Sequence, residues 1–367
     1  MATPSLSPTD AVSPAIHRAS AMLFKPFRWR FYWRMAVVAF LTGELGGGGG
    51  NFNLPSNFPT DHGKNRGGSS EFLSSLPWHL PGALSVTQWI IIAAVAAFVL
   101  FAAMLIFLYI ASIFRFILFD SVLTGSCSIR ENWSRRQREG RKLFQWSLII
   151  MVITFTVLIM VFGTPVLFAW SAGFFENPSQ HIPILILLGL VLLLLLLIFL
   201  LIAGAVQIIT RDIMVPMLAF EDISIGEAWG RAKQMITADK GGYGGFYGMC
   251  ILLALAVGVI FGIIGIIILL FFIFIAVVIG LMVVAVLAAT KWNPIVIAFA
   301  VLLGIVALVG LMFISALIYV PAVVFRQSYG MYFFGARYAP LARYMYPPPP
   351  TPPAPPPMAP PPEPVPV

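Results

Sequence analysis

Few side chains in this sequence could do chemistry. Glu221 and Asp222 form an adjacent carboxylate pair of the kind that general acid and base catalysis uses. His62, His79 and His181, with Asp61, are possible metal ligands, and Arg130, Arg135, Arg136, Arg138, Arg141 and Lys142 form a cationic cluster suited to anions. The histidines lie in unrelated loops without ligand spacing, and a phosphate-cradling glycine loop, a nucleophile elbow and a helical His pair are all lacking. The acidic pair directly follows an apolar run, where a solvated loop explains it better than catalysis does. The expectation is therefore no enzyme, no catalytic or metal residues, no cofactor and no nucleic-acid partner.

The cationic cluster belongs to a motif written twice. Ser128-Ile129-Arg130-Glu131-Asn132-Trp133 returns 96 positions later as Ser224-Ile225-Gly226-Glu227-Ala228-Trp229, and an Arg (Arg115, Arg211) precedes each Ser by 13 residues. A constant offset in an otherwise divergent chain indicates a tandem internal repeat, with units over about 89–175 and 182–275. Ser-x-x-Glu is a capping box, in which the Ser hydroxyl accepts from the N3 amide and the Glu carboxylate reaches back to the N-cap amide. Ser128 with Glu131 and Ser224 with Glu227 are thus expected to start two amphipathic helices on the inner membrane surface, with Trp133 and Trp229 in the headgroup zone. In that setting the six cations of the 130–142 cluster become a possible contact for anionic lipid, at about 1 kcal/mol each. They serve equally well as a topological marker, and the second loop, with acids outnumbering its cations, argues for that plainer role.

These elements need a membrane. The chain has 367 residues, 60% hydrophobic and 10% charged, with net charge +8. Apolar runs at 89–119, 147–170, 182–209, 246–290 and 294–320 each exceed the roughly 20 residues that span a bilayer core. A weaker sixth runs from about 31 to 45, so the expected fold is an all-α polytopic transmembrane bundle of about six segments. The run at 246–290 would be about 67 Å as one helix, and it is expected to break, with glycines as bend points. Ala254, Gly258 and Gly262 offer one small face, expected to pack internally. Residues 1–21 lack a cleavable signal's plan and are expected to be retained and disordered. Cationic loops around Arg18–Arg34 and 115–146 place the N-terminus in the cytoplasm of a plasma (inner) membrane protein, and a Pro-x-x-x-Phe echo at 216 and 321 favours the same side for the C-terminus. Cys127 and Cys250 are expected to be free thiols.

The spans lack the ionisable groups of ion-coupled carriers, which weighs against active ion transport. From Pro347 to Val367, 14 of 21 residues are proline, an extended disordered tail that could act as a spacer or dock on a partner protein. The membrane domain then covers 22–346. Leu23-Phe24-Lys25-Pro26-Phe27, Val215-Pro216-Met217-Leu218-Ala219 and Pro321-x-x-x-Phe325-x-x-Ser328-Tyr329 resemble a group of uncharacterised prokaryotic multi-pass proteins, similar to the membrane domain found beside glycerophosphodiester phosphodiesterases. The resemblance implies a helical membrane domain of unassigned function and transfers no phosphodiesterase activity. The resulting expectation is a non-enzymatic scaffold, accessory subunit or lipid-interacting protein. The alternative is a passive transporter for a small uncharged or lipid-like solute.

Overall fold

The computed structural model describes residues 6–43, 86–174, 181–289 and 294–346, and these are helical, with no strand among them. The chain starts with α1 (Val12–Phe24) and α2 (Trp29–Leu41). Residues 1–21 were expected to be disordered, yet Ala11, Ala15, Ala19 and Leu23 repeat every four residues, and this stripe is buried. The Ser/Thr/Pro-containing composition hides a helix that needs only one small apolar face. Arg18 fastens it by donating to the carbonyls of Val122 and Leu123 at 2.9 Å each.

The helix α2 has 13 residues, about 20 Å of rise, so it does not cross a bilayer by itself and the expected sixth crossing over 31–45 is not formed as one helix. It leans on the later helix α10 (Pro294–Gly335) through an informative bond. Pro321, inside α10, has no N–H for the carbonyl four residues earlier, and that carbonyl, Leu317, accepts from the Tyr32 hydroxyl at 2.9 Å.

Five helical runs among the described residues are long and apolar enough to cross a membrane. They are α3 (Val86–Thr124); α4 (Ile129–Leu158), continued through a widened π-turn by α5 (Thr164–Ser171); α6 (Ile182–Ile209), continued through a second π-turn by α7 (Val215–Phe220); α9 (Lys240–Ala289); and α10 (Pro294–Gly335). Two shorter helices complete the chain, α8 (Ile225–Ala238) and α11 (Ala339–Met345). In four of the runs the most apolar window is 0% buried, and in α10 it is 11% buried. Runs of 34 to 44 residues are about 50–65 Å long, well beyond a hydrocarbon core of about 30 Å. The excess length of each gathers at one end, where Phe116, Phe119, Leu143, Ile213, Tyr329 and Phe333 are buried in one core. This packed end is called the base below.

The stretch 246–290 does not break. Over its described residues Lys240–Ala289 is a single helix that no proline interrupts, with Tyr243, Phe246 and Cys250 at its start buried in the base. Gly258 and Gly262 have nothing within 4 Å of where a Cβ would stand, so the small face expected to pack internally is open. Phe246 stacks on Phe333 at 4.1 Å, and Arg337 reaches Asp239 at 3.0 Å, which brings the start of α9 and the end of α10 together. The 240–335 region thus goes out and back once. The first described residues return to the same place, since Pro8 accepts from the Tyr329 hydroxyl and Leu6 accepts from Arg337. The proline-rich tail and the glycine run at 46–50 lie outside the described residues.

The repeat has unequal outcomes. In the second copy Asp239 ends α8 as a separate amphipathic helix. In the first copy the helix starting at Ile129 runs on without interruption, so the expected surface helix is instead the lower part of a crossing segment. Gly140 lets α3 and α4 pack closely along this run, because a Cβ there would lie 2.5 Å from Ile113 Cγ1.

Candidate functional site: a buried ionic layer in the base

The layer begins at the second π-turn, Thr210–Met214, all five residues of which are buried. Pro216 cannot donate to the carbonyl of Asp212, and the helix widens just before it, a distortion often found at functional positions. Arg211 turns back on its neighbour, with Nε and Nη2 donating to Asp212 Oδ1 and Oδ2, both at 2.7 Å. Their side chains are 9% and 1% exposed. A bidentate fork of this kind compensates two charges that would otherwise be costly to bury. Gly330 lets α10 approach, since a Cβ there would lie 2.6 Å from Asp212 Cγ. The Thr210 hydroxyl donates to Val206 O at 2.8 Å and accepts from Trp146 Nε1 at 3.0 Å, which ties α4 to the turn.

A second buried pair lies nearby. Arg136 donates from Nε and Nη2 to the two oxygens of Asp120, each at 2.8 Å, and from Nη1 to Ala219 O at 2.9 Å. One guanidinium thereby joins α3, α4 and the end of α7. Around these pairs runs a more exposed ring. Asp222 takes Lys142 at 2.8 Å and Arg138 at 2.9 Å, while Glu221 takes Arg231 at 2.5 Å and the Tyr338 hydroxyl at 2.6 Å.

The hydrogen bond from Tyr338, with Arg231 beside it, holds the Glu221 carboxyl below the usual range. Lys142 and Arg138 do the same for Asp222. At Asp239 the Gly242 amide acts first and Arg337 second. Acids held low are ionised at neutral pH and have no proton to donate, so the Glu221–Asp222 pair is a clasp in form.

The structure separates the residues singled out from sequence. Ser128 makes no side-chain cap, so the capping box with Glu131 is absent there. Ser224 does cap, accepting from the Glu227 amide at 3.2 Å, but the Glu227 carboxylate goes to Arg231 at 2.7 Å instead of returning to the N-cap. Trp133 packs 5.6 Å from Phe114 and Trp229 packs 5.1 Å from Trp146, both half-buried in protein contacts. Of the six cluster cations, Arg135 and Arg136 face Asp120 while Arg138 and Lys142 face Asp222. Arg130 and Arg141 are exposed and form no ion pair among the described residues. Four of the six thus pair with acids on neighbouring elements, but Arg135 and Arg138 stay 61% and 68% exposed and only Arg136 is buried.

Among the described residues no three His, Cys, Asp or Glu side chains gather as a metal site, and His62, His79 and Asp61 lie outside those residues. Cys127 and Cys250 are buried free thiols, and burial pushes the Cys127 thiol up. Sequence reasoning missed Asp120 and Asp212. Their signal is an acid within five residues of each repeated Arg, just beyond an apolar run.

Comparison with known proteins places the chain bearing this layer in a family. Residues 6–343 match the family of unknown function DUF7544. The chain belongs to that family. No curated protein and no solved structure matches it. The family match carries no link to glycerophosphodiester phosphodiesterases, so that part of the expected likeness is without support.

Proposed function

We propose that this DUF7544 member is a non-enzymatic, lipid-interacting scaffold of the plasma (inner) membrane, with its base in the cytoplasm and its proline-rich tail presented there to a protein partner. The observation that carries the reading is the division of the chain into bare apolar windows and a packed ionic base. Windows that bury almost nothing against one another leave their surface to acyl chains or to other membrane helices, and they enclose no path among the described residues. The base provides the rigidity that a scaffold needs. Support for the orientation comes from exposed Phe24, Phe27 and Trp29 beside exposed Lys25, Arg28 and Arg30, an aromatic and cationic border of the kind found at the cytoplasmic interface.

The test is a mild-detergent pull-down of the full chain beside a version ending at Tyr346, with lipids and proteins identified by mass spectrometry. Lipid in both eluates, with one protein lost on truncation, is the expected result. Flux of a small uncharged solute through vesicles containing the purified chain, with no retained lipid, would replace the scaffold by a passive transporter.

A further inference from the structure

The corner between α1 and α2 is exposed without interruption from Phe24 to Arg30. Its rings are assembled into one patch. Phe24, Phe27 and Trp29, each more than half exposed, stand 6.5, 5.6 and 6.3 Å from the ring of Tyr32, on which Trp29 stacks. Tyr32 is the residue that donates to Leu317 O, and the next residue, Trp33, meets Phe313 edge-on at 5.3 Å. The patch is thereby mounted on α10, and the mounting point has a definite place along that helix. α10 is exposed at every position from 302 to 309, becomes half-buried at 310–313 and buries Ala316 fully, so Phe313 and Leu317 lie where the bare span passes into the base. A bare apolar span ends where hydrocarbon gives way to headgroups. The corner also carries Lys25, Arg28 and Arg30, all exposed and in no ion pair among the described residues, and from Ala11 to Gly43 the chain has five Lys and Arg and no acid.

We propose that the α1–α2 corner is an anchor on the cytoplasmic leaflet, with the rings of Phe24, Phe27 and Trp29 at the boundary of headgroups and acyl chains and Lys25, Arg28 and Arg30 on the phosphates of anionic phospholipids. The inference deepens the lipid-interacting reading above and rests on it. Three features select this occupant. Rings interleaved with cations match a leaflet, which is apolar beneath and anionic above. The lack of any acid over this stretch leaves the three cations to an outside anion, whereas four of the six cations of the 130–142 cluster already face acids of the chain. The bond to Leu317 and the contact with Phe313 hold the patch at the depth of the headgroups, so insertion requires no ordering of a loose segment.

The experiment places a fluorescent label on Phe27→Cys, a selective site because Cys127 and Cys250 are buried. The full chain is reconstituted in phosphatidylcholine vesicles holding a small fraction of phosphatidylglycerol or phosphatidylcholine with a nitroxide near the headgroup end of one acyl chain. Both lipids should quench the label, and phosphatidylglycerol should act as though at least about fivefold enriched at the corner, the factor that one cation near a charged surface provides. Lys25→Gln, Arg28→Gln and Arg30→Gln together should bring the two lipids to equal quenching while leaving quenching by phosphatidylcholine in place. A second label, on Val259→Cys in the exposed part of α9, is read with the nitroxide deeper in the chain and tests the wider reading. Quenching at position 259 with none at position 27 would overturn the corner as an anchor, giving it to water or to a protein surface, and leave the lipid-facing spans standing. Equal quenching of the position 27 label by the two lipids, or a triple variant that keeps the phosphatidylglycerol excess, would overturn the assignment of anionic lipid to these cations. Silence at both positions would overturn this inference and the lipid-interacting reading together.

Discussion

Removing one hydroxyl, in Tyr32→Phe, strips the Leu317 carbonyl of the donor that stands in for the missing N–H of Pro321. Leaving a buried carbonyl without a partner costs about 1–3 kcal/mol, so for this half-buried one a loss of about 1 kcal/mol should appear as a lower unfolding temperature in detergent. A larger effect is expected at the π-turn. Arg211→Ala would leave the Asp212 carboxylate buried without its fork, at about 3–5 kcal/mol, whereas Arg211→Met with Asp212→Leu should recover much of the loss because no charge remains to be buried. Unfolding by titrated denaturant detergent would rank the three chains, and a double variant no better than the single one would remove the ionic explanation. Such pairs are hard to read in a sequence. Arg135 and Arg136 are neighbours of the same type, yet their side chains are 61% and 10% exposed. A rotation of about 100° per residue decides which one meets Asp120, and that phase depends on where α3 lies against α4.

Among the elements, α8 and the connection before it are held by acids whose folded pKa is depressed. Such groups contribute stability that is fully present above their unfolded values, about 3.9 for Asp and 4.3 for Glu, and that is lost as pH falls through the lower folded values. Glu221, Asp222 and Asp239 should therefore release α8 and the start of α9 together as the medium is taken below about pH 4, with neutral pH inert. Hydrogen exchange along 221–245, followed from pH 7 to pH 3 with correction for intrinsic rates, should show protection falling only in acid. The elements themselves were unevenly legible. The five long apolar runs were visible because burial in lipid demands about 20 uncharged residues in a row, a condition a sequence displays directly. The separate helix after Ser224 was visible from its cap. The fate of the matching helix after Ser128 was not, since no residue between it and the apolar run at 147 marks whether the helix stops or continues. The unbroken α9 was misjudged because its length was compared with membrane thickness alone, although no proline within it forces a break.

For the whole molecule, stability and membrane contact are assigned to different ends of the same helices. Trp170, 74% exposed near the far end of the α4–α5 run, and Trp146, half-buried beside Thr210, make the division measurable. In single-tryptophan chains reconstituted with brominated lipid, Trp170 should be quenched strongly and Trp146 weakly; equal quenching would mean that the base is no more enclosed than the spans. The base also joins segments far apart in the chain, for Leu6 and Arg337 are partners across 331 positions. A ribosome releases the N-terminal helix first, and that helix then has to wait through the synthesis of every membrane segment before its docking surface on α10 exists. Assembly of this chain is accordingly a closing step and not a progressive one. A product cut short before Tyr329 would keep all but the end of its hydrophobic length while lacking the Tyr329 hydroxyl and the Arg337 guanidinium to which the carbonyls of Pro8 and Leu6 are tied.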